Sequence, residues 1–505
     1  MSVSQQILHR APDCADATVA TTIAPAERQG DQAPLVLDLD GTLLRTDLLY
    51  ESFVAYLRHN PLGFWRVFGW VLKGKAHVKR ELAAAAPLDL DSLPVNEDVA
   101  AYAVEARASG REVYLATAAD GDLARRIAAR FPFLTGVIAS DGVTNLKGGH
   151  KAEALAAQFP DGFSYAGDCR ADLAVWRTCR EIVLVGASPA VEKAARAIGE
   201  PVAVFPRPPS GLKVYAKALR LHQWAKNLLI FVPLILGGKT FDPAAWGATA
   251  AGFLALGLLA SATYLLNDLT DLPDDRRHWS KRERPLAKGS LPIRTALILA
   301  PLGLAVSFGI GAALGPPALV MLGLYLALTL AYSLRLKREP IVDGFVLACL
   351  FTLRLGFGIV LAQVVTSPWL LTFSMFLFLS LSFAKRHTEV ERMVQHGIKK
   401  TAGRGYRAGD GPLLLAVGAS AGVGSVLVMV LYLIQEAFPA GYYTKPAFLW
   451  AFPAVLFLWV GRVWLLCQRG ELKDDPVAFA LKDRTSIALG GVMAAAFLAS
   501  HIGQF

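Results

Sequence analysis

The sequence predicts a multidomain chain of two parts: an open α/β domain with a helical cap, followed by an all-α bundle of nine transmembrane helices. Three observations predict it. Hydrophobic residues make up 54% of the 505 positions, too many for a wholly soluble protein. The excess is concentrated beyond residue 212, in long runs with few or no charges, whereas the preceding part alternates apolar and charged stretches as a globular domain does. Leu35 to Leu44 (LVLDLDGTLL) is an apolar strand that runs into paired aspartates.

The boundaries follow from composition. Residues 1–33 read as a loose tail without the pattern of a secretory signal, and 34–205 as the α/β domain, its cap at about 47–110. Residues 206–212 read as a linker, stiffened by prolines in Phe205 to Gly211 (FPRPPSG), and 213–505 as the bundle. The five cysteines are too scattered for a disulfide framework or a metal-ligand spacing, which points to a reducing compartment.

In the first domain, Asp38 and Asp40 leave the C-terminal edge of their strand, where open α/β sheets build their sites. Asp38 is the candidate nucleophile toward phosphorus and Asp40 the candidate acid/base, with Mg²⁺ offsetting the charge of their approach. Three later segments fit the same site. Val113 to Ala119 (VYLATAA) ends a strand on Thr117, Lys151 opens an amphipathic run (KAEALAAQF), and Tyr165 to Asp172 (YAGDCRAD) supplies Asp168 and Asp172. Lys147 is a second candidate for the lysine.

Together, in this order, the four motifs resemble the haloacid dehalogenase (HAD) superfamily, Rossmann-like α/β phosphatases with a cap. The resemblance implies that Thr117 and Lys151 hold phosphoryl oxygens beside the catalytic Asp38 and Asp40. It also implies one Mg²⁺ among Asp38, Asp40, Asp168 and Asp172. A degenerate copy kept for stability or regulation is the alternative. Within the cap, Phe64, Trp65, Val67, Phe68, Trp70, Val71 and Leu72 precede Lys73, Lys75 and Lys79. Such a mix suits a membrane interface, or a cap helix packed on its own domain.

Apolar segments of the bundle fall at about 227–238, 246–266, 293–312, 316–334, 341–364, 369–384, 412–434, 447–466 and 485–503, the first one short. The loops after the second, fourth, sixth and eighth hold 6, 3, 7 and 4 Lys/Arg; the others hold Lys239 and Lys445 alone. The positive-inside rule places the four basic loops and the N-terminal domain in the cytoplasm of a plasma (inner) membrane protein, with the C-terminus outside. The formal charge of +10 therefore reads as topology plus attraction to an anionic lipid bilayer, and does not call for nucleic acid.

Asn267, Asp268, Asp271 and Asp275 (NDLTDLPDD) close the second segment at spacings that bring the acids to one helical face. Clustered carboxylates at a membrane boundary repel one another unless a cation joins them, and oxygen ligands suit Mg²⁺ carrying phosphates. Arg276, Arg277, Lys281, Arg284 and Lys288 follow at once, as a diphosphate requires. A solvated helix cap is the alternative. Pro273 disfavours helical geometry at Leu272, which puts Asp275 on a new turn and makes Asp274 a possible substitute for it.

The NDxxDxxxD pattern, the KRERPLAKG that follows and the nine segments resemble the UbiA superfamily of intramembrane prenyltransferases. Leu219 to Asn227 (LRLHQWAKN), Tyr332 to Asp343 (YSLRLKREPIVD) and Ala384 to Arg386 (AKR) resemble its polyprenyl-phosphate phosphoribosyltransferase branch. Asp343 is followed four residues later by Leu347, so a second aspartate pair of the DxxxD kind is missing. The resemblance implies at least one Mg²⁺ on Asp268, Asp271 and Asp275, and phosphoribosyl diphosphate and polyprenyl phosphate as substrates. Their contacts would come from Asn267, Lys226, Arg284, Lys337, Asp343, Lys385 and Arg386. The attached phosphatase would then remove the sugar 5-phosphate, leaving polyprenyl-phospho-ribose for cell-envelope glycan synthesis. An aromatic prenyltransferase and a non-enzymatic lipid-binding or transport scaffold are the rival readings.

Overall fold

The computed structural model describes residues 33–140, 146–207, 211–278, 281–397, 404–441, 443–472, 479–480 and 482–501. The expected tail and the centre of the expected linker lie outside them. The chain divides into two compact units: one takes the described residues up to Leu219 together with Leu265–Leu299, the other Arg220–Tyr264 with those from Ala300 onward.

The first unit is built on six parallel strands, β1 (Leu35–Asp38), β2 (Val113–Asp120), β3 (Gly136–Ser140), β4 (Ser164–Gly167), β5 (Glu181–Val185) and β6 (Ala203–Phe205), in the order β3-β2-β1-β4-β5-β6. Parallel sheets need cover on both faces, and the alternation along β1 supplies it. Leu35 and Leu37 join Val99, Ala103, Leu123 and Ile127 in one core, while Val36 joins Leu155, Trp176 and Ala195 in the other. The strand order reverses between β1 and its neighbours, which makes the C-terminal end of β1 the switch point where such sheets open a crevice.

Between β1 and β2 the chain forms three helices, Leu48–His59, Phe64–Leu72 and Lys75–Ala85, joined by a small core of Tyr56, Val67, Val78 and Leu82. These are the cap. Helix Glu97–Ala108, inside the range expected for the cap, instead buries Val99, Ala100, Ala103 and Ala106 in the core of the sheet.

Among the described residues, seven helices are long and apolar enough to cross a membrane: Pro243–Thr270, Ile293–Leu314, Pro316–Leu334, Val342–Ala362, Pro368–Gln395, Ala408–Ala437 and Pro446–Gln468. The chain is an integral membrane protein. Of the nine segments expected, the first and last correspond to shorter apolar helices, Leu221–Leu236 and Arg484–Ser500. The first is short because residues Leu221–Phe231 wind as a 3-10 helix and only Val232–Leu236 is α-helical. No disulfide joins the described cysteines, Cys169, Cys179, Cys349 and Cys467.

Candidate active sites

At the C-terminal edge of the sheet the four expected motifs converge. Lys151, on helix Gly149–Gln158, donates to Asp38 Oδ1 at 2.6 Å, to the Ala116 carbonyl at 3.1 Å and to the Tyr165 hydroxyl at 3.0 Å. The Tyr165 hydroxyl donates in turn to Asp172 Oδ1 at 2.9 Å. Asp172 Oδ2 accepts from the backbone N–H groups of Asp168 and Cys169, which fixes the turn after β4. Thr117 is buried at its strand end, where its hydroxyl accepts from the Ala119 N–H. Lys147, the second candidate lysine, is exposed.

Gly41 explains how the first and last motifs come together. Its φ is +80°, and a Cβ there would lie 2.4 Å from Asp168 Oδ2, so the motif aspartates can approach only across a glycine. Asp40 accepts from the Leu48 N–H at 2.9 Å, which ties it to the first cap helix.

Asp168 thus lies near Asp38, Asp172 and Asp40, and Lys151 beside Asp38 and Asp172, an excess of negative charge that a divalent cation would balance. Burial, then the neighbouring carboxylates Asp38 and Asp172, pushes Asp168 up to about 8. Burial, then Asp47, pushes Asp40 up to about 7. Burial also raises Asp38, against the opposing charge of Lys151. The oxygen donors Asp38, Asp40, Asp168 and Asp172 fit Mg²⁺ on this ground.

Two residues of this site escaped the sequence reading. Lys79 of the cap donates to the Ala118 carbonyl at 2.9 Å and lines a cleft with Asp40, Ser52, Ala119 and Asp120. Its proximity to the strand ends was not encoded in any spacing. Tyr165, which links Lys151 to Asp172, stood inside a motif whose aspartates drew the attention.

The acidic motif of the second site begins on helix Pro243–Thr270 and ends on helix Leu272–Arg277. The break falls at Asp271, one residue before the position expected from Pro273; Leu272 is helical and opens the turn that carries Asp275. Asp268 and Asp275 nonetheless meet: both accept from Arg284 Nη1, at 3.0 and 2.5 Å. Asp271 accepts from Asn267 Nδ2 at 3.1 Å. Asp274 is no substitute for Asp275, since it is exposed and pairs with Arg58 of the cap at 2.8 Å.

Asp275 Oδ1 is buried and accepts no hydrogen bond among the described residues, with Lys281 Nζ 3.7 Å away. Burial raises this carboxyl even with Arg284 beside it. A buried acceptor without a donor, next to a carboxylate pair that shares one cationic nitrogen, is a donor set that fits Mg²⁺.

A family model described as the UbiA prenyltransferase family matches residues 228–486, about half of the chain. The chain belongs to the UbiA prenyltransferase family. An uncharacterized protein, y4nM, of Sinorhizobium fredii is 41% identical over 92% of this chain and 90% of its own length. A decaprenyl-phosphate phosphoribosyltransferase of Corynebacterium glutamicum is 36% identical over 34% of this chain and 54% of its own. Among solved structures, a UbiA homolog from Archaeoglobus fulgidus bound to GPP and Mg²⁺ is 17% identical and covers 57% of this chain and 98% of that one, with a TM-score of 0.43.

The remaining expected residues of the UbiA site belong to the other compact unit. Lys226 lies over the Phe351 ring, 5.7 Å from its centroid, and Lys337 is on the 3-10 helix Leu336–Arg338. Asp343 and Arg386 come together: Arg386 Nε donates to Asp343 Oδ2 at 2.5 Å and its Nη1 to both oxygens of Glu389. Arg386, next to Lys385 on helix Pro368–Gln395, is 1% exposed, so it reaches a ligand only by exchanging these partners. Arg354 was hidden within an apolar run. It is buried and donates to Asn227 Oδ1 at 3.0 Å, to the Leu350 carbonyl and to the Tyr325 hydroxyl.

Proposed function

We propose that this UbiA-family enzyme transfers a 5-phosphoribosyl group from phosphoribosyl diphosphate to polyprenyl phosphate, and that its N-terminal domain, of HAD type, then removes the 5-phosphate. The observation that carries the transferase reading is the meeting of Asp268 and Asp275 on Arg284 at the end of a membrane helix. The identity to a decaprenyl-phosphate phosphoribosyltransferase supports the choice of donor.

In the first step an oxygen of the lipid phosphate forms a bond to C1 of the ribose as the bond from C1 to the diphosphate breaks. The diphosphate leaves with the electron pair. Mg²⁺ held by Asp268, Asp271 and Asp275 would supply charge neutralisation for that leaving group. Arg284, bonded to Asp268 and Asp275, is placed to bind an oxygen of the diphosphate. Asn267 keeps Asp271 oriented.

In the second step Asp38 attacks the phosphorus of the 5-phosphate, and the sugar oxygen departs with a proton from Asp40. Water then releases phosphate from Asp38 as Asp40 takes the proton back. Lys151 and Thr117 hold the phosphoryl oxygens, and one Mg²⁺ at the carboxylates would offset their charge. The product is polyprenyl-phospho-ribose. The charge bias of the basic loops supports a cytoplasmic position for both sites, with the C-terminus outside.

The test is incubation of the purified full-length protein with Mg²⁺, phosphoribosyl diphosphate and polyprenyl phosphate, followed by mass spectrometry of the lipids. Wild type should yield polyprenyl-phospho-ribose, and Asp38→Asn the same lipid heavier by one phosphate. Identical products would remove the phosphatase step. Turnover of prenyl diphosphate with an aromatic acceptor, and none with the ribosyl donor, would replace the transferase reading.

A further inference from the structure

The cap carries a surface that neither active site uses. Helix Phe64–Leu72 turns Val67 and Trp70 inward, where Trp70 meets Tyr56 at a centroid distance of 5.4 Å. Five other large apolar side chains face out: Phe64, Trp65, Phe68, Val71 and Leu72 are 51%, 76%, 57%, 56% and 76% exposed. Their positions repeat at helical spacing, so they form one continuous stripe roughly 120° wide. A single exposed leucine calls for no explanation, whereas five of nine successive residues, two of them phenylalanine and one tryptophan, make a patch that water disfavours.

What covers it is argued from the same unit. Helix Pro243–Thr270 ends in this unit and helix Ile293–Leu314 begins in it, and both are long and apolar enough to span a membrane, so a bilayer boundary belongs to this unit. Exposed Arg66 and Lys73 accompany the stripe and match anionic headgroups in charge. An apolar face with aromatic residues and flanking bases is the composition of a helix lying in the interface plane.

We propose that helix Phe64–Leu72 is a membrane-surface element whose exposed face is seated in the headgroup boundary of the bilayer. The cap would then meet the lipid surface directly. The inference is independent of the chemistry assigned to either active site.

A photo-crosslinking diazirine amino acid placed in turn at positions 65, 68 and 72 of the full-length protein, in nanodiscs of phosphatidylcholine and phosphatidylglycerol, tests it. Because these side chains are exposed, the replacements leave the fold intact. The control is position 107, where Arg107 is exposed on helix Glu97–Ala108. Phospholipid adducts at all three positions, at least about fivefold above position 107, are the expected result. Adduct yields at or below that control would overturn the proposal. Cross-links joining two copies of the chain would overturn it too, by assigning the face to self-association.

Discussion

Glu51 and Arg276 form a buried ion pair, Oε1 to Nη2 at 2.5 Å, with the side chains 5% and 6% exposed and 225 positions apart in the chain. Glu51 lies on the first cap helix, which also holds Asp40 through the Leu48 N–H. Arg276 directly follows Asp275 of the acidic motif. Arg277 with Asp89 and Arg58 with Asp274 add two exposed pairs to the same seam. Gly289 closes it: its φ is +77° and a Cβ there would lie 2.5 Å from the Arg45 carbonyl oxygen.

Breaking this pair from one side leaves a buried charge without a partner, at a cost of about 3–5 kcal/mol. Glu51→Ala and Arg276→Ala should each loosen helix Leu48–His59, read as lost hydrogen-exchange protection there. The double variant should be less destabilised than the sum of the two. Strict additivity in a thermal double-mutant cycle would show that the pair contributes nothing.

Asp271→Asn removes one charge from the acidic motif while keeping its size and its neighbour Asn267. Release of diphosphate from the donor should fall at least about 100-fold, the loss that even outer-shell metal partners reach. Phosphatase turnover at Asp38 should be retained. Near-normal transfer by this variant would remove the metal role of Asp271.

Metal binding at the carboxylate cluster of Asp38, Asp40, Asp168 and Asp172 should depend on pH in a range where ordinary carboxylates do not titrate. Asp40 and Asp168 lie near 7 and 8 without metal, above the usual carboxylate value, so both hold protons that a cation must displace. Affinity for Mn²⁺ should therefore rise from pH 6 to pH 8.5, with proton release measurable by calorimetry in two buffers of different ionisation enthalpy. Affinity that stays flat over this range would mean that these acids are already ionised.

A reporter fused after Phe505 should be active only on the outer side of the membrane, and reporters in the basic segments that follow helices Pro243–Thr270, Pro316–Leu334 and Pro368–Gln395 only in the cytoplasm. An active cytoplasmic reporter at the C-terminus would invert the orientation.

Much of the fold was legible because its signals are local. The strand Leu35–Asp38 ends on its aspartate, and a parallel sheet buried on both faces leaves few other places for four polar motifs to gather. Pro273 likewise announced a break in the acidic motif, which falls at Asp271, one residue earlier than expected. The count of membrane helices was less secure, since apolarity alone does not tell the 3-10 stretch Leu221–Phe231 from an α-helix. Lys79, Arg354 and the Glu51 pair were illegible for another reason. Each is defined by a partner distant in sequence, and one sequence records the partners without recording that they meet.

The natural place to divide this protein is the Pro-rich stretch near residue 210, yet the seam at Glu51 means that such a cut would not give two intact halves. A soluble fragment ending there would expose the carboxylate of Glu51 with nothing to neutralise it, and the membrane fragment would carry Arg276 in the same condition. Anyone preparing the halves separately should replace both charges first, Glu51→Gln in one and Arg276→Gln in the other, or expect aggregation that reflects the cut and not the native chain.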